Sequence, residues 1–93
     1  METKLHHVMA RTTGLSWQQL DDEIVILDLN EGIYLSLNGA GATLWPLIVQ
    51  GMDTPKLREA LVDTFGISAT QAMEDVNAFV ATLEEHKLVE IVV

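Results

Sequence analysis

A chain of 93 residues with 48% hydrophobic content has room for one small domain, residues 1–93, whose core must be dense in aliphatic side chains. Fourteen acidic against five basic side chains, a net charge of −9, make a nucleic-acid phosphate backbone an unfavourable partner, and the absence of cysteine removes disulfides, thiolate metal sites and cysteine nucleophiles. Short apolar runs and a start, Met1 to His7, without a secretory hydrophobic region lead to the expectation of a cytoplasmic protein that does not enter membranes.

The first third reads as strands: Leu15 to Leu20, Glu23 to Leu29 and Gly32 to Leu37, separated by the breaks Asp21-Asp22 and Asn30-Glu31-Gly32. The second break is short enough for a tight hairpin with one residue at positive φ, so the strands beside it are predicted to be antiparallel neighbours. Val8 to Arg11 either extends the first strand or forms its own. Thereafter the apolar period changes to three or four residues. Asn38 is placed to cap a first helix that ends at Gly51, with Pro46 predicting either a kink or a regular part that starts only near Trp45. Thr54 as cap and Pro55 in the first turn open a second helix, closed by Gly66. Ser68 and Gln71 have the spacing of a capping box and open a third, with Ala72, Met73, Val76, Phe79, Val80 and Leu83 as its apolar stripe. Leu88 to Val93 returns to strand-like composition. The predicted class is α+β, a winged helix-turn-helix-like fold with an N-terminal three-stranded antiparallel sheet followed by three helices.

No constellation of residues points to catalysis, to a bound metal or to a cofactor. Adjacent His6 and His7 diverge on a strand and chelate poorly, and His86 sits where a helix C-terminus favours partial positive charge. Asp21-Asp22 and Glu84-Glu85 fall on solvated stretches where neighbouring carboxylates ionise independently. The serines lack a histidine and an acid at a recognisable spacing. More informative is the hairpin. Gly32 to Leu37 alternates cleanly, whereas in Glu23 to Leu29 both faces are apolar, Ile24 and Ile26 on one and Val25, Leu27 and Leu29 on the other. Either Trp17 or the segment Val89 to Val93 covers the second face, or a partner chain completes the sheet; an uncovered apolar strand is also a route to a homodimer.

The run Asp28-Leu29-Asn30-Glu31-Gly32-Ile33-Tyr34-Leu35-Ser36-Leu37-Asn38, then Gly41-Ala42-Thr43-Leu44-Trp45, then Asp75-Val76 through Phe79, Leu83 and Leu88, resembles the pyrroloquinoline quinone biosynthesis protein D family. These PqqD-like domains are the precursor-peptide recognition elements of ribosomally made, post-translationally modified peptides, and the Tyr-Leu-Ser-Leu-Asn form is most similar to the discrete recognition proteins of lasso peptide clusters. Pro46 departs from the usual pattern. The resemblance implies a non-catalytic domain in which the leader segment of a precursor peptide adds an antiparallel strand to Gly32, Ile33, Tyr34, Leu35, Ser36 and Leu37. It also implies a groove beside the third helix lined from Ala72, Asp75, Val76, Phe79 and Leu83. The implied partners are the precursor, a leader peptidase and a macrolactam-forming cyclase. A winged helix-turn-helix DNA-binding regulator is the alternative, and it requires a basic reader face that the scattered Lys4, Arg11, Lys56, Arg58 and Lys87 do not supply.

Overall fold

The computed structural model describes residues 7–11 and 13–92, with the side chains of His7, Ile91 and Val92 outside that description. Lys4, His6 and Val93 therefore lie outside the described residues. The elements run β1 (His7–Ala10), β2 (Leu15–Leu20), β3 (Glu23–Asp28), β4 (Ile33–Leu37), α1 (Gly39–Val49), α2 (Thr54–Phe65), α3 (Ala69–Glu85) and β5 (Val89–Val92). The predicted class holds: an antiparallel sheet in the order β2-β3-β4 is followed by three helices. Residues 8–11 do not lengthen β2. Instead β1 pairs antiparallel with β5, Val8 opposite Ile91 and Ala10 opposite Val89, as a second sheet of two strands.

Turn chemistry sets the meander. Asp21 turns β2 into β3 at φ 55°, a left-handed conformation that aspartate tolerates better than most residues, and Gly32 supplies the expected positive φ, 72°, ahead of β4. The register places Trp17, Ile26 and Leu35 side by side on one face, and Leu27 and Tyr34 together on the other. On the inner face Ile24 and Ile26 are buried with Leu44, Trp45 and Ile48 of α1, Leu57 and Leu61 of α2, and Val76, Val80 and Leu83 of α3.

Three helix starts differ from their predicted form. Asn38 does precede α1, but its side chain makes no capping bond. The helix nevertheless runs unbroken from Gly39 through Pro46 to Val49, so it does not begin near Trp45. Proline removes the donor to the Ala42 carbonyl and crowds it, but the buried ring of Trp45 with Leu44 and Ile48 anchors the same turns. The cap of α2 is Asp53 rather than Thr54: its carboxylate accepts from the Lys56 amide at 3.3 Å and adds negative charge at the helix start. Ser68 Oγ accepts from the Gln71 amide at 3.1 Å as predicted, but the Gln71 side chain turns forward and donates to Asp75 Oδ1 at 2.9 Å. Gly66 closes α2 at φ 67° with its amide on the Val62 carbonyl.

Of the two alternatives for the second face of β3, a cover by Trp17 or by the C-terminal strand is not seen among the described residues. Trp17 lies on the inner side, edge-on to Trp45 with ring centroids 6.4 Å apart, and β5 belongs to the other sheet. Leu27 and Leu29 are consequently 41% and 61% exposed, beside Tyr34 at 69%. Among the described residues no helix is long and apolar enough to cross a membrane.

Candidate functional site

Strand β4 is the outer strand of its sheet, bonded to β3 on one side and to no other described strand on the other. Such an edge carries a row of main-chain donors and acceptors open to a further strand, and β4 has neither lysine nor proline to discourage one. Its inner-face residues Leu35 and Leu37 are half-buried, the outer-face Ser36 is exposed, and the Ser36 hydroxyl donates to the Glu23 carboxylate across the sheet.

Helix α3 packs most closely against α2 and then against β5 and α1. Phe79 of α3 is half-buried against the core. Its position is set by Gly41: a Cβ on that residue would lie 3.0 Å from Phe79 Cε1 and 3.5 Å from Leu37 Cβ. The glycine thus lets α1, the Phe79 ring and the end of β4 meet at one point. Asp75, a turn before Phe79, is half-buried and held by Gln71. Ala72, Val76 and Leu83 share the stripe but are buried in the core rather than accessible.

The start of β4 is built differently. Asp28, the last residue of β3, continues the buried row of Ile24 and Ile26 and is only 2% exposed. Its Oδ1 accepts from Arg11 Nη2 at 2.7 Å and from the amides of Asn30 at 3.0 Å and Glu31 at 3.2 Å, which ties the turn before β4. Burial pushes the carboxyl pKa up, but the Arg11 guanidinium and the two amides together outweigh it, and the group titrates below its ordinary value. Arg11 spends its other nitrogens on the Thr13 and Lys87 carbonyls. Sequence reasoning assigned neither residue a role. The signal was available, since Asp28 falls in step with Ile24 and Ile26 on a face that should carry only apolar side chains.

Chemistry of other kinds finds no support in the geometry. Among the described residues no group of three or more histidine, aspartate or glutamate side chains is gathered to hold a metal. The outer flank of α3 exposes Glu74, Glu84 and Glu85, and Arg11 is paired with Asp28.

The family model for coenzyme PQQ synthesis protein D (PqqD) matches residues 23–89, from the start of β3 into β5. The chain belongs to the PqqD family. PqqD-like proteins are recognition domains without catalytic activity. Two solved structures share the fold. TbiB1 in complex with the TbiA(beta) leader peptide superposes with a TM-score of 0.82 at 24% identity, covering 88% of this chain and 95% of that one. Lasso peptide synthetase B1 complexed with the leader peptide gives 0.79 at 25% identity, covering 89% and 96%. No curated protein sequence matches the chain.

Proposed function

We propose that this PqqD-family domain binds the leader segment of a ribosomally made precursor peptide as an added antiparallel strand along Gly32 to Leu37, in the groove beside α3, and delivers it to the leader peptidase and macrolactam cyclase of a lasso peptide pathway. The observation that carries the reading is the edge of β4, open among the described strands and bordered by Leu35, Leu37 and Phe79. Main-chain bonds along such an edge provide affinity, and the apolar groove selects alternate side chains of the added strand. That two proteins of this fold were solved with leader peptides bound supports the choice of ligand. Within the groove, direct contact falls to Asp75 and Phe79, with Ala72, Val76 and Leu83 shaping the wall from behind. Delivery needs no bond-making by the domain: holding the precursor next to an enzyme raises its effective concentration there.

Fluorescence anisotropy of a labelled leader peptide, from the precursor encoded beside this protein, tests the reading against a labelled DNA duplex at two salt concentrations. Saturable leader binding at about micromolar affinity or tighter, with an inert duplex, is expected. Duplex binding that falls steeply with salt, with the leader inert, overturns it.

A further inference from the structure

A groove on the inner side of β4 accounts for only one of its two faces. Leu35 and Leu37 pack inward on the core, whereas Tyr34 points outward and is 69% exposed, the most exposed large apolar side chain among the described residues. Its cross-strand neighbour on β3 is Leu27, itself 41% exposed, and its ring stacks on no other aromatic among the described residues. The other flank of Tyr34 is the open edge, since β4 is the outer strand of its sheet. An aromatic ring with one apolar neighbour on β3 and none on the edge side is half of a cross-strand pair.

Resting on the leader-binding reading above, we propose that Tyr34 is a second, outer-face specificity site that grips an aromatic or branched aliphatic side chain of the leader pointing away from the groove beside α3. The pleat gives the place. Side chains of an added strand alternate between faces, so leader residues opposite Leu35 and Leu37 turn toward the groove and the one opposite Tyr34 turns out. That residue is the immediate cross-strand neighbour of Tyr34, at the spacing of about 4.5–5.5 Å between Cβ atoms that such pairs have. The chemistry of the face gives the class. Leu27, Tyr34 and the leader side chain would form one apolar row across three adjacent strands, and aromatic and β-branched residues are the best cross-strand partners of an aromatic ring. The other outward leader position, opposite Ser36, gains nothing comparable: serine is short, and its hydroxyl is spent on the Glu23 carboxylate. The outer row of the leader therefore holds one selective position and one tolerant one. The selective position stands an odd number of residues from every groove-facing anchor, whereas groove-facing anchors are separated from one another by even numbers.

The test is an alanine scan of the leader from the neighbouring precursor, read by anisotropy against the wild-type protein, Tyr34→Thr and Tyr34→Phe. Threonine keeps the strand preference and removes the ring, and phenylalanine keeps the ring. One aromatic or branched leader residue, at odd spacing from the groove anchors, is expected to weaken binding to the wild-type protein about three- to fivefold when replaced by alanine. The same replacement should change little against Tyr34→Thr, and Tyr34→Phe should behave as the wild type. The chain has one tyrosine, so 3-fluorotyrosine labelling gives a single fluorine resonance in the unmutated protein, whatever the variants do to folding. That resonance should shift on saturation with the leader and shift far less on saturation with the alanine-replaced leader. Sensitive leader positions that are all separated by even numbers, with an unmoved fluorine resonance, overturn the proposal and leave leader binding standing. A loss in Tyr34→Phe equal to that in Tyr34→Thr assigns the contact to the hydroxyl and also overturns it. A leader that does not bind the wild-type protein removes both readings.

Discussion

Arg11 and Asp28 are the residues whose chemistry reaches furthest from their place in the chain. The folded aspartate titrates below 3.8, the ordinary value, so the ionised form is favoured by folding. Its contribution to stability is fully present above that value and is lost as pH falls through the lower folded value. The thermal midpoint should therefore drop steeply on acidification from pH 5 toward the acid end, and Asp28→Asn should flatten that dependence. Arg11→Met should destabilise more than Asp28→Asn in urea titrations, because it leaves a buried carboxylate without its cation. Gly41 poses a different question. Alanine gains roughly 0.5–1 kcal/mol of helix preference, but its Cβ presses Phe79 at 3.0 Å toward the groove. Gly41→Ala is expected to stay within about 1 kcal/mol of wild-type stability while binding the leader several-fold more weakly. Asp75→Ala should cost affinity for a basic leader with a loss that shrinks in high salt, and unchanged affinity at low salt would assign Asp75 to helix solubility alone.

Among the elements, β4 offers the sharpest test of strand addition. Along an edge strand, alternate amides point toward the neighbour and toward the open side. Of Leu35→Pro and Ser36→Pro, one therefore breaks a bond to β3 and the other removes a donor from the free edge. The second should fold, by circular dichroism, and fail to bind; if both fold and bind normally, the peptide does not add to β4. The elements also show what a sequence discloses. Local signals were sound where geometry is local: Gly66 at a helix end, Gly32 at a hairpin, Ser68 on the Gln71 amide. They missed by one residue at Asp53, where two adjacent side chains can both cap and the carboxylate prevails. Periodicity could not separate core from groove on α3, since Ala72, Val76 and Leu83 repeat in step with Phe79 yet only Phe79 is accessible. Nor could it pair β1 with β5, because nothing near His7–Ala10 encodes its partner some eighty residues on.

At the scale of the whole molecule two forces oppose each other. The uncovered face of β3, with Leu27, Leu29 and Tyr34 exposed, favours association, while a charge of −9 keeps copies apart. Raising salt from about 0.05 M to about 1 M shortens the screening length to about 3 Å. Sedimentation velocity should then show self-association growing with salt, and Leu27→Lys should abolish it; a monomer at every salt concentration would mean the face does not join copies of this chain.

The bonds from Arg11 to the Lys87 and Leu88 carbonyls, the first across 76 residues, also order events in time. A ribosome releases β1 long before β5, so β1 waits unpaired through most of synthesis, whereas the β2-β3-β4 meander needs only neighbours in sequence. The β4 edge proposed to take the peptide can therefore exist on a nascent chain whose fold is still open at the other sheet, and closure comes only when residues 87–92 have left the exit tunnel.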